Sequence, residues 1–402
     1  MTRARTHFLF LNIGHFLDHL FTLIFATVAA LALTREWGLS YAELVPYATP
    51  GFVAFGLFSL PAGWLSDRWS RYGMMSVFFV GIGIASIFTA FATTPLQIMI
   101  LLFFVGILAE SAKASGTGQA IAINGVWGNL GVGSAALITG FLIDNGGWRA
   151  AFVLPGLVSI AIGVAYFLFS RPDMAAEQAA KAAKRAAGPA AKPAATGTTH
   201  SDQRLRQLLL RLSIIIFCTA ALSSIVFQST TFALPKVLDE RLGGIAGSAT
   251  AVGWLAFVVF AIASMAQLVV GRLLDTLGPR IVFMVVAAMQ VFFFLLMPGL
   301  KDWTALAVAL GFMLGAFGQI PINDYMIGRM ARSEFRGAVY GARYVVSFVA
   351  LAAALPLIAW VHGNWGFDAL FRILAATAAV IFLFVSMIPG TLPMPDEAPA
   401  KA

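Results

Sequence analysis

Apolar runs of about 20 residues recur from one end of this chain to the other, and each is long enough to cross a bilayer as a helix. Of the 402 residues, 60% are hydrophobic and 11% are charged, whereas a soluble domain carries about 25% charged residues. So few charges cannot cover the surface of a water-soluble fold. The composition therefore excludes a soluble enzyme, a DNA-binding domain and a disordered protein, and it predicts a polytopic membrane protein.

The apolar runs predict an all-α fold with twelve membrane-spanning helices. The expected spans are 7–33, 45–66, 74–92, 95–113, 119–143, 150–170, 208–234, 248–271, 280–299, 303–323, 337–361 and 366–389. Within each run the apolar residues are continuous and do not alternate with period two, which argues against a β-barrel. We expect two bundles of six helices each, at residues 1–170 and 208–389.

A segment rich in alanine, lysine, proline and glycine separates the two sets of spans, at residues 171–207. Its alanine-lysine part can form a transient helix, and the part rich in glycine and proline that follows is typical of a flexible linker. We interpret 171–207 as a linker between the two bundles and 390–402 as a tail.

The basic residues are distributed unevenly between alternate loops. The side that would hold both termini receives 20 of the 26 Lys and Arg residues. Because basic loops stay in the cytoplasm, both termini and the linker are predicted to be cytoplasmic, in a cell inner (plasma) membrane. The net charge of +8 is spread over these short loops rather than concentrated in one patch, so it does not indicate nucleic-acid binding. The single cysteine, Cys218, excludes an intrachain disulfide, and we predict no cofactor.

Matching sequences recur at an offset of about half the chain. The segment 63–68 (GWLSDR) follows span 2 and resembles 271–275 (GRLLD) after span 8. The segment 147–152 (GWRAAF) opens span 6 and resembles 366–371 (GFDALF), which opens span 12. These matches indicate a duplicated unit. Transporters are often built from such repeats, with a substrate site near the midplane of the membrane.

The most specific motif is the segment 63–71, GWLSDRWSR. Its aspartate can pair with the last arginine or cap the next helix, whose N-terminal dipole favours an anion. Such a contact can hold one conformation and be released in another. The alternative is that the arginines only orient the protein in the membrane. The predicted conformational gate consists of Gly63, Asp67, Arg68, Arg71 and, in the second copy, Asp275.

This segment resembles the loop signature of the major facilitator superfamily, G-x-L-[SA]-D-R-x-[GS]-R. The twelve spans and the basic linker fit the same family, which implies two pseudo-symmetric bundles that rock around a central cavity. The sequence Gly14-His15-Phe16 with Asp18, and the segment 125–131 (GVWGNLG), resemble the fosmidomycin-resistance type of bacterial efflux protein. That likeness implies export.

Two features depart from the family pattern. Span 5 has no Gly-Pro pair of the kind that antiporters carry. The connection between spans 4 and 5, which contains Glu110 and Lys113, is shorter than the family leads us to expect. Span 5 also carries a row of glycines, which indicates close helix packing. These glycines are Gly125, Gly128, Gly131, Gly133 and Gly140.

Three ionisable residues, His15, Asp18 and His19, share one face of span 1 at spacing i, i+3, i+4. Asp18 lies about 17 Å along the helix axis, near the middle of the bilayer. An ionisable group at that depth is costly unless it has a function. We predict that Asp18 carries a coupling proton and that His15 or His19 tunes it. An interhelix hydrogen bond and a metal site remain alternatives.

Other polar residues in apolar spans are candidates for lining a substrate cavity. These residues are Asn124, Asn129, Gln228, Gln267, Gln319 and Arg343. Each amide can instead form a helix–helix hydrogen bond. Arg343 can attract an anionic solute, or it can extend its charged end toward the membrane surface.

These residues favour a secondary active transporter of a small organic solute that works by alternating access, with proton-coupled efflux as the leading hypothesis. Import of copper or of a vitamin-like solute is the alternative, and a non-transporting sensor is a third. A membrane enzyme is not expected, because no nucleophile with a base and no H-E-x-x-H pattern is present. We expect a monomer whose partners are the solute, protons and the lipid bilayer.

Overall fold

The structure is a computed structural model that describes residues 2–109, 118–186, 203–330 and 336–388. In these ranges the secondary structure is entirely helical, which confirms the predicted all-α fold. In chain order the α-helices are α1 Arg3–Val28, α2 Thr34–Glu36, α3 Tyr41–Leu44, α4 Thr49–Arg68, α5 Arg71–Thr89, α6 Pro95–Leu108, α7 Gly118–Ala186, α8 Gln203–Arg241, α9 Ala249–Leu277, α10 Pro279–Leu296, α11 Asp302–Met330 and α12 Arg336–Ser386. A π-helical stretch, Ala29–Leu33, joins α1 to α2, and a 3-10 turn, Val45–Ala48, joins α3 to α4.

Single glycines turn two long helices back on themselves. Gly147 in α7 has φ 75° and ψ 168°, and Gly366 in α12 has φ 71° and ψ −175°. Only glycine adopts this conformation readily. Nine helical stretches of the described residues are long and apolar enough to cross a membrane, and these include the two that turn. With the shorter apolar helix α6, the described chain holds twelve apolar segments in the predicted order.

Helix α7 continues beyond the apolar run that ends near Ser170. The helix extends to Ala186, and α8 begins at Gln203, so the first part of the predicted linker is helical. We call residues 171–186 the α7 extension. Alanine, lysine and glutamate favour helix, and hydrogen bonds to the start of α5 anchor the extension. It is therefore a continuous part of α7 and differs from the transient helix that the sequence suggested.

Most helix contacts lie within one half of the chain. Helices α1, α4, α5, α6 and α7 pack together, and α8 to α12 form the second group. The two groups meet where α7 packs on α9, where α12 packs on α3 and α4, and where α1 packs on α8. We call the end of the molecule that contains residues 63–71 and the α7 extension the linker end. At the opposite end, α7 turns at Gly147. We name this end after Asp144, which lies three residues before the turn.

Candidate functional site

The polar face of α1 is buried in the N-terminal group of helices. Asp18 is 6% exposed, and Asn12, one turn before His15, is 3% exposed. His15 and His19 are half-buried. The face packs against the first arm of α7, residues 118–146. The structure therefore places the three predicted proton-coupling residues together inside the protein.

His15 and His19 contact each other and α7. His15 Nδ1 lies 2.7 Å from the backbone oxygen of Asn124, and His19 Nε2 lies 3.2 Å from His15 Nε2. A carbonyl oxygen only accepts hydrogen bonds, so we assign the proton of His15 to Nδ1. In the neutral ring His15 Nε2 is then an acceptor, and His19 Nε2 donates to it. One proton therefore lies between the two Nε2 atoms.

Asn124 links α7 to α1 through its side chain as well. Its Nδ2 donates to Asn12 Oδ1 at 3.0 Å, and Asn124 is 5% exposed. This geometry matches the helix–helix hydrogen bond that was the alternative to a cavity role. Asn12 was not identified from the sequence, although an asparagine one turn before His15 on the same face was the available signal.

Two glycines of α7 make room for this contact. A methyl group at Gly128 would lie 2.6 Å from His15 Cε1, and one at Gly131 would lie 2.2 Å from the backbone oxygen of Phe16. Both distances are too short for a real side chain. At Gly131 the close atom is backbone, so only glycine allows this approach of α1 and α7, whereas a side chain at Gly128 would displace the His15 ring. Gly125 differs, because no atom lies within 4 Å of a methyl group placed there.

Asp18 is held in the same face, and its backbone oxygen accepts a hydrogen bond from Thr22 Oγ1 at 3.0 Å. Within the described parts of the chain, no group of three His, Cys, Asp or Glu side chains is arranged to hold a metal ion. Although His15, Asp18 and His19 share one face, their geometry in the described structure does not favour the metal-site alternative.

A second set of buried polar groups lies in the C-terminal group of helices. Gln290 Nε2 donates to Gln319 Oε1 at 3.3 Å, and Gln319 Nε2 donates to the backbone oxygen of Ser223 at 2.9 Å. Gln319, a predicted cavity residue, thereby connects α8, α10 and α11. Gln290 was missed in the sequence, where it stands out only as an amide within an apolar run.

The remaining cavity candidates are spread over several helices. Asn129 in α7 and Gln228 in α8 are half-buried. Gln267 in α9 has a buried Nε2 that meets no hydrogen-bond partner among the described residues. The side chain of Arg343 lies outside the residues whose side chains the structure describes, and the segment with Glu110 and Lys113 lies outside the described residues altogether.

The predicted conformational gate lies at the linker end and is largely exposed. Asp67 Oδ1 is 3.7 Å from Arg71 Nη2, and these side chains are 76% and 70% exposed. Such an exposed pair contributes little stability. Asp67 does not cap α5, because Ser70 Oγ accepts the backbone N–H of Gly73 at 3.2 Å. Asp275 is also exposed.

The other two gate residues are Arg68 and Gly63. The guanidinium of Arg68 lies 5.3 Å from the ring centroid of Trp64 in the same helix. A methyl group at Gly63 would have no atom within 4 Å. Among the described residues, no neighbouring helix therefore packs closely against Gly63.

The anion at the start of α5 comes from the α7 extension. Glu177 accepts from Ser70 Oγ at 2.7 Å and from the backbone N–H of Arg71 at 3.1 Å. Lys181 Nζ lies 2.9 Å from Glu177 Oε1 and donates to the backbone oxygen of Ser66 at 3.0 Å. We call these five residues the linker-end clasp. No sequence signal pointed to it, because Glu177 lies more than 100 positions from Ser70.

The α7 extension has a second attachment, to the start of α1. Asp173 pairs with Arg3 and with His7, whose Nε2 lies 3.0 Å from Asp173 Oδ2.

Glu177 of the linker-end clasp lies beyond the apolar part of α7. Burial opposes its ionisation, but hydrogen bonds from Lys181 and Ser70 hold the pKa of its carboxyl below the ordinary value. The clasp is therefore intact at neutral pH and weakens only as the pH falls through the pKa of Glu177.

Replacing Glu177 by alanine should release the α7 extension. We expect tryptic cleavage near Lys181 to become roughly tenfold faster, since a hydrogen bond to a charged group contributes about 1.5 kcal/mol or more. Gln178→Ala changes the neighbouring exposed position and is the matched control. Equal cleavage rates in the two variants would show that the clasp does not anchor the helix.

A family model described as Major Facilitator Superfamily matches residues 11–244 and 216–402 of the chain. The chain belongs to the major facilitator superfamily. The resemblance seen in the segment 63–71 is thus confirmed at the level of the superfamily. Family membership identifies a multi-pass membrane transporter and not an enzyme.

Curated relatives in this superfamily transport organic solutes. The chain is 26% identical over 392 residues to the "Gallate transporter" of Pseudomonas putida, with 86% of each chain covered. It is 25% identical over 337 residues to the "Multidrug resistance protein MdtG" of Proteus mirabilis, covering 80% of this chain and 78% of that one. The protein is therefore similar to small-solute transporters over most of its length.

The fold is that of solved superfamily structures. The crystal structure of a D-xylose-proton symporter aligns with a TM-score of 0.68 at 14% identity, over 97% of this chain and 99% of that chain. This likeness confirms the major facilitator fold for the two groups of helices.

Proposed function

We propose that this major facilitator protein is a proton-coupled secondary transporter of a small organic solute that works by alternating access. The buried face of α1, with Asp18 beside the contacting pair His15 and His19, is the observation that supports coupling. Ionisable groups in the middle of an apolar helix are costly. Three of them on one buried face are best explained by reversible protonation during transport.

The geometry of the histidine pair limits how many protons it can hold. With both rings neutral, one proton lies between the two Nε2 atoms and forms the 3.2 Å hydrogen bond from His19 to His15. A second proton between the same two atoms, bound at His15 Nε2, would place two N–H groups against each other and break the pair. The contact between the two Nε2 atoms therefore holds a single proton, and protonation of His15 at Nε2 would separate the rings.

The solute is proposed to bind between the two groups of helices, and the sequence offers Asn129, Gln228, Gln267 and Arg343 as candidate contacts. The gallate relative supports an aromatic carboxylate as the first class of solute to test. The guanidinium of Arg343 is suited to bind a carboxylate.

We propose export by antiport as the direction, with the linker end in the cytoplasm and the protein acting as a monomer. The likeness of 125–131 to fosmidomycin-resistance proteins and the multidrug relative support export. The excess of basic residues at the linker end supports its placement in the cytoplasm. Import of a vitamin-like solute by the same fold is the second candidate, since the gallate relative is named only as a transporter.

Purified protein in liposomes with an internal pH dye tests coupling and direction together. Pools of gallate, phosphonate and phenolic antimicrobials, vitamins and copper are added outside. In an antiporter, solute entry drives protons out and the interior becomes alkaline, whereas in a symporter it becomes acidic. We expect one organic pool to produce an alkaline change. Accumulation of copper or a vitamin without any proton movement would contradict the coupling proposal.

A further inference from the structure

The two groups of helices are joined at the Asp144 end by a carboxylate that caps a helix of the other group. Asp144 Oδ2 accepts from the backbone N–H of Thr250 at 2.7 Å and from Thr250 Oγ1 at 2.5 Å. Asp144 Oδ1 accepts from the backbone N–H of Ala249 at 3.3 Å. Ala249 and Thr250 begin α9, so the carboxylate faces the positive end of the helix dipole.

The backbones of α7 and α9 are in direct contact beside this carboxylate. A methyl group at Gly140 would lie 2.2 Å from the backbone oxygen of Ala249, and one at Gly253 would lie 2.5 Å from the backbone oxygen of Ala136. No side chain separates the helices at either point. The interface holding Asp144 is therefore closed along more than one turn of both helices.

A second contact between the groups closes the same end. Tyr41 in α3 is 2% exposed, and its ring centroid lies 5.5 Å from that of His362 in α12. His362 Nε2 in turn lies 3.0 Å from Glu240 Oε1 in α8. A methyl group at Gly363 would lie 2.9 Å from Ala42 Cβ. Both contacts must separate before a central cavity can open at the Asp144 end.

We propose that Asp144 is the gating residue of this end: its bonds to Ala249 and Thr250 favour the state in which the Asp144 end is closed, and they break in every transport cycle. This inference rests on the proposed alternating access. It differs from the predicted gate at the linker end, where the exposed pair of Asp67 and Arg71 lies within one group of helices.

The contact is suited to gating because it combines strength with reversibility. A carboxylate that accepts from backbone N–H groups at a helix start forms charge-assisted hydrogen bonds. Asp144 itself is exposed, so water can hydrate the carboxylate as soon as the helices part. Asp144 therefore favours the closed state without leaving an unpaired buried charge in the open state.

Distance measurements between the two groups of helices test the proposal. The native cysteine is first replaced, Cys218→Ser, and spin labels are attached at Arg35→Cys in α2 and Gly247→Cys before α9, both of which are exposed positions. In liposomes we expect Asp144→Ala to lower the ratio of closed to open distances by about tenfold, the factor for losing hydrogen bonds to a charged group. Asp144→Glu, which keeps the carboxylate, should restore much of the closed population.

Asn145→Ala is the matched control, because among the described residues Asn145 Nδ2 donates within its own helix, to the backbone oxygen of Phe141 at 2.8 Å. An unchanged distance distribution in Asp144→Ala overturns the proposal. If that variant does not fold, the same distances are measured in Asp144→Asn, which loses the charge, and in Thr250→Val, which loses the hydroxyl donor. Each should lose a smaller part of the closed population, because the backbone N–H donors remain, and an unchanged distribution in both overturns the proposal. A distance shift in a protein that moves no protons with solute would retain the gate and refute only the coupling.

Discussion

Asp18→Asn is expected to abolish proton-driven solute movement in liposomes, by roughly 100-fold or more, as for the loss of a positioned proton-transfer group. Asparagine has the shape of aspartic acid but cannot release a proton. Asp18 is 6% exposed, so its carboxyl is shielded from bulk solvent in this state. Asp239→Asn removes a carboxylate that pairs with Lys236 at the far end of α8, and it should leave transport unchanged.

The same variant separates symport from antiport. Because the introduced amide would imitate the protonated carboxyl permanently, a symporter should still bind solute and exchange it across the membrane without a proton gradient. An antiporter, which binds its solute when the carboxylate is ionised, should lose solute binding as well. Both are measured by solute counterflow and by direct binding. Equal proton movement in Asp18→Asn and wild type would show that Asp18 is structural.

Gly131→Ala should destabilise the N-terminal group of helices and abolish transport. The added methyl group would lie 2.2 Å from the backbone oxygen of Phe16, so α1 and α7 must move apart. Overpacking of this kind costs about 1–3 kcal/mol. The separation would also lengthen the bonds from His15 to Asn124 and from Asn124 to Asn12, which lie on the same interface.

Gly125→Ala provides a matched control on the same arm of α7. It adds the same methyl group where no atom lies within 4 Å, so unfolding and transport should stay as in wild type. Thermal unfolding of the purified protein, followed by fluorescence, measures the difference. If the two alanine variants unfold at the same temperature, the close approach at Gly131 does not limit stability.

The fold could be predicted because its signals are local. Each span is a continuous apolar run, and the glycines at 147 and 366 stand where matching sequences open spans 6 and 12. The face with His15, Asp18 and His19 could likewise be predicted, because helical spacing alone places these residues together. Such features depend on residues a few positions apart.

The partners of the site could not be predicted because they come from distant positions. Asn124 is 109 positions from His15, and Glu177 is 107 positions from Ser70. No periodicity relates these residues. Asp67 illustrates the same limit, since the sequence placed an anion near the start of α5 but did not show that Glu177 would occupy that position. Long-range packing decides which of several polar residues makes each contact.

The one-residue turn at Gly147 has a mechanical consequence. Asp144 lies three residues before the turn, and the arm that follows, 148–186, is a continuous helix about 58 Å long at 1.5 Å per residue. Its far end carries Glu177 of the linker-end clasp. Because no loop provides slack at the turn, a displacement of α7 at Asp144 acts directly on this arm. The arm can therefore serve as a lever that transmits movement at one membrane surface to the other.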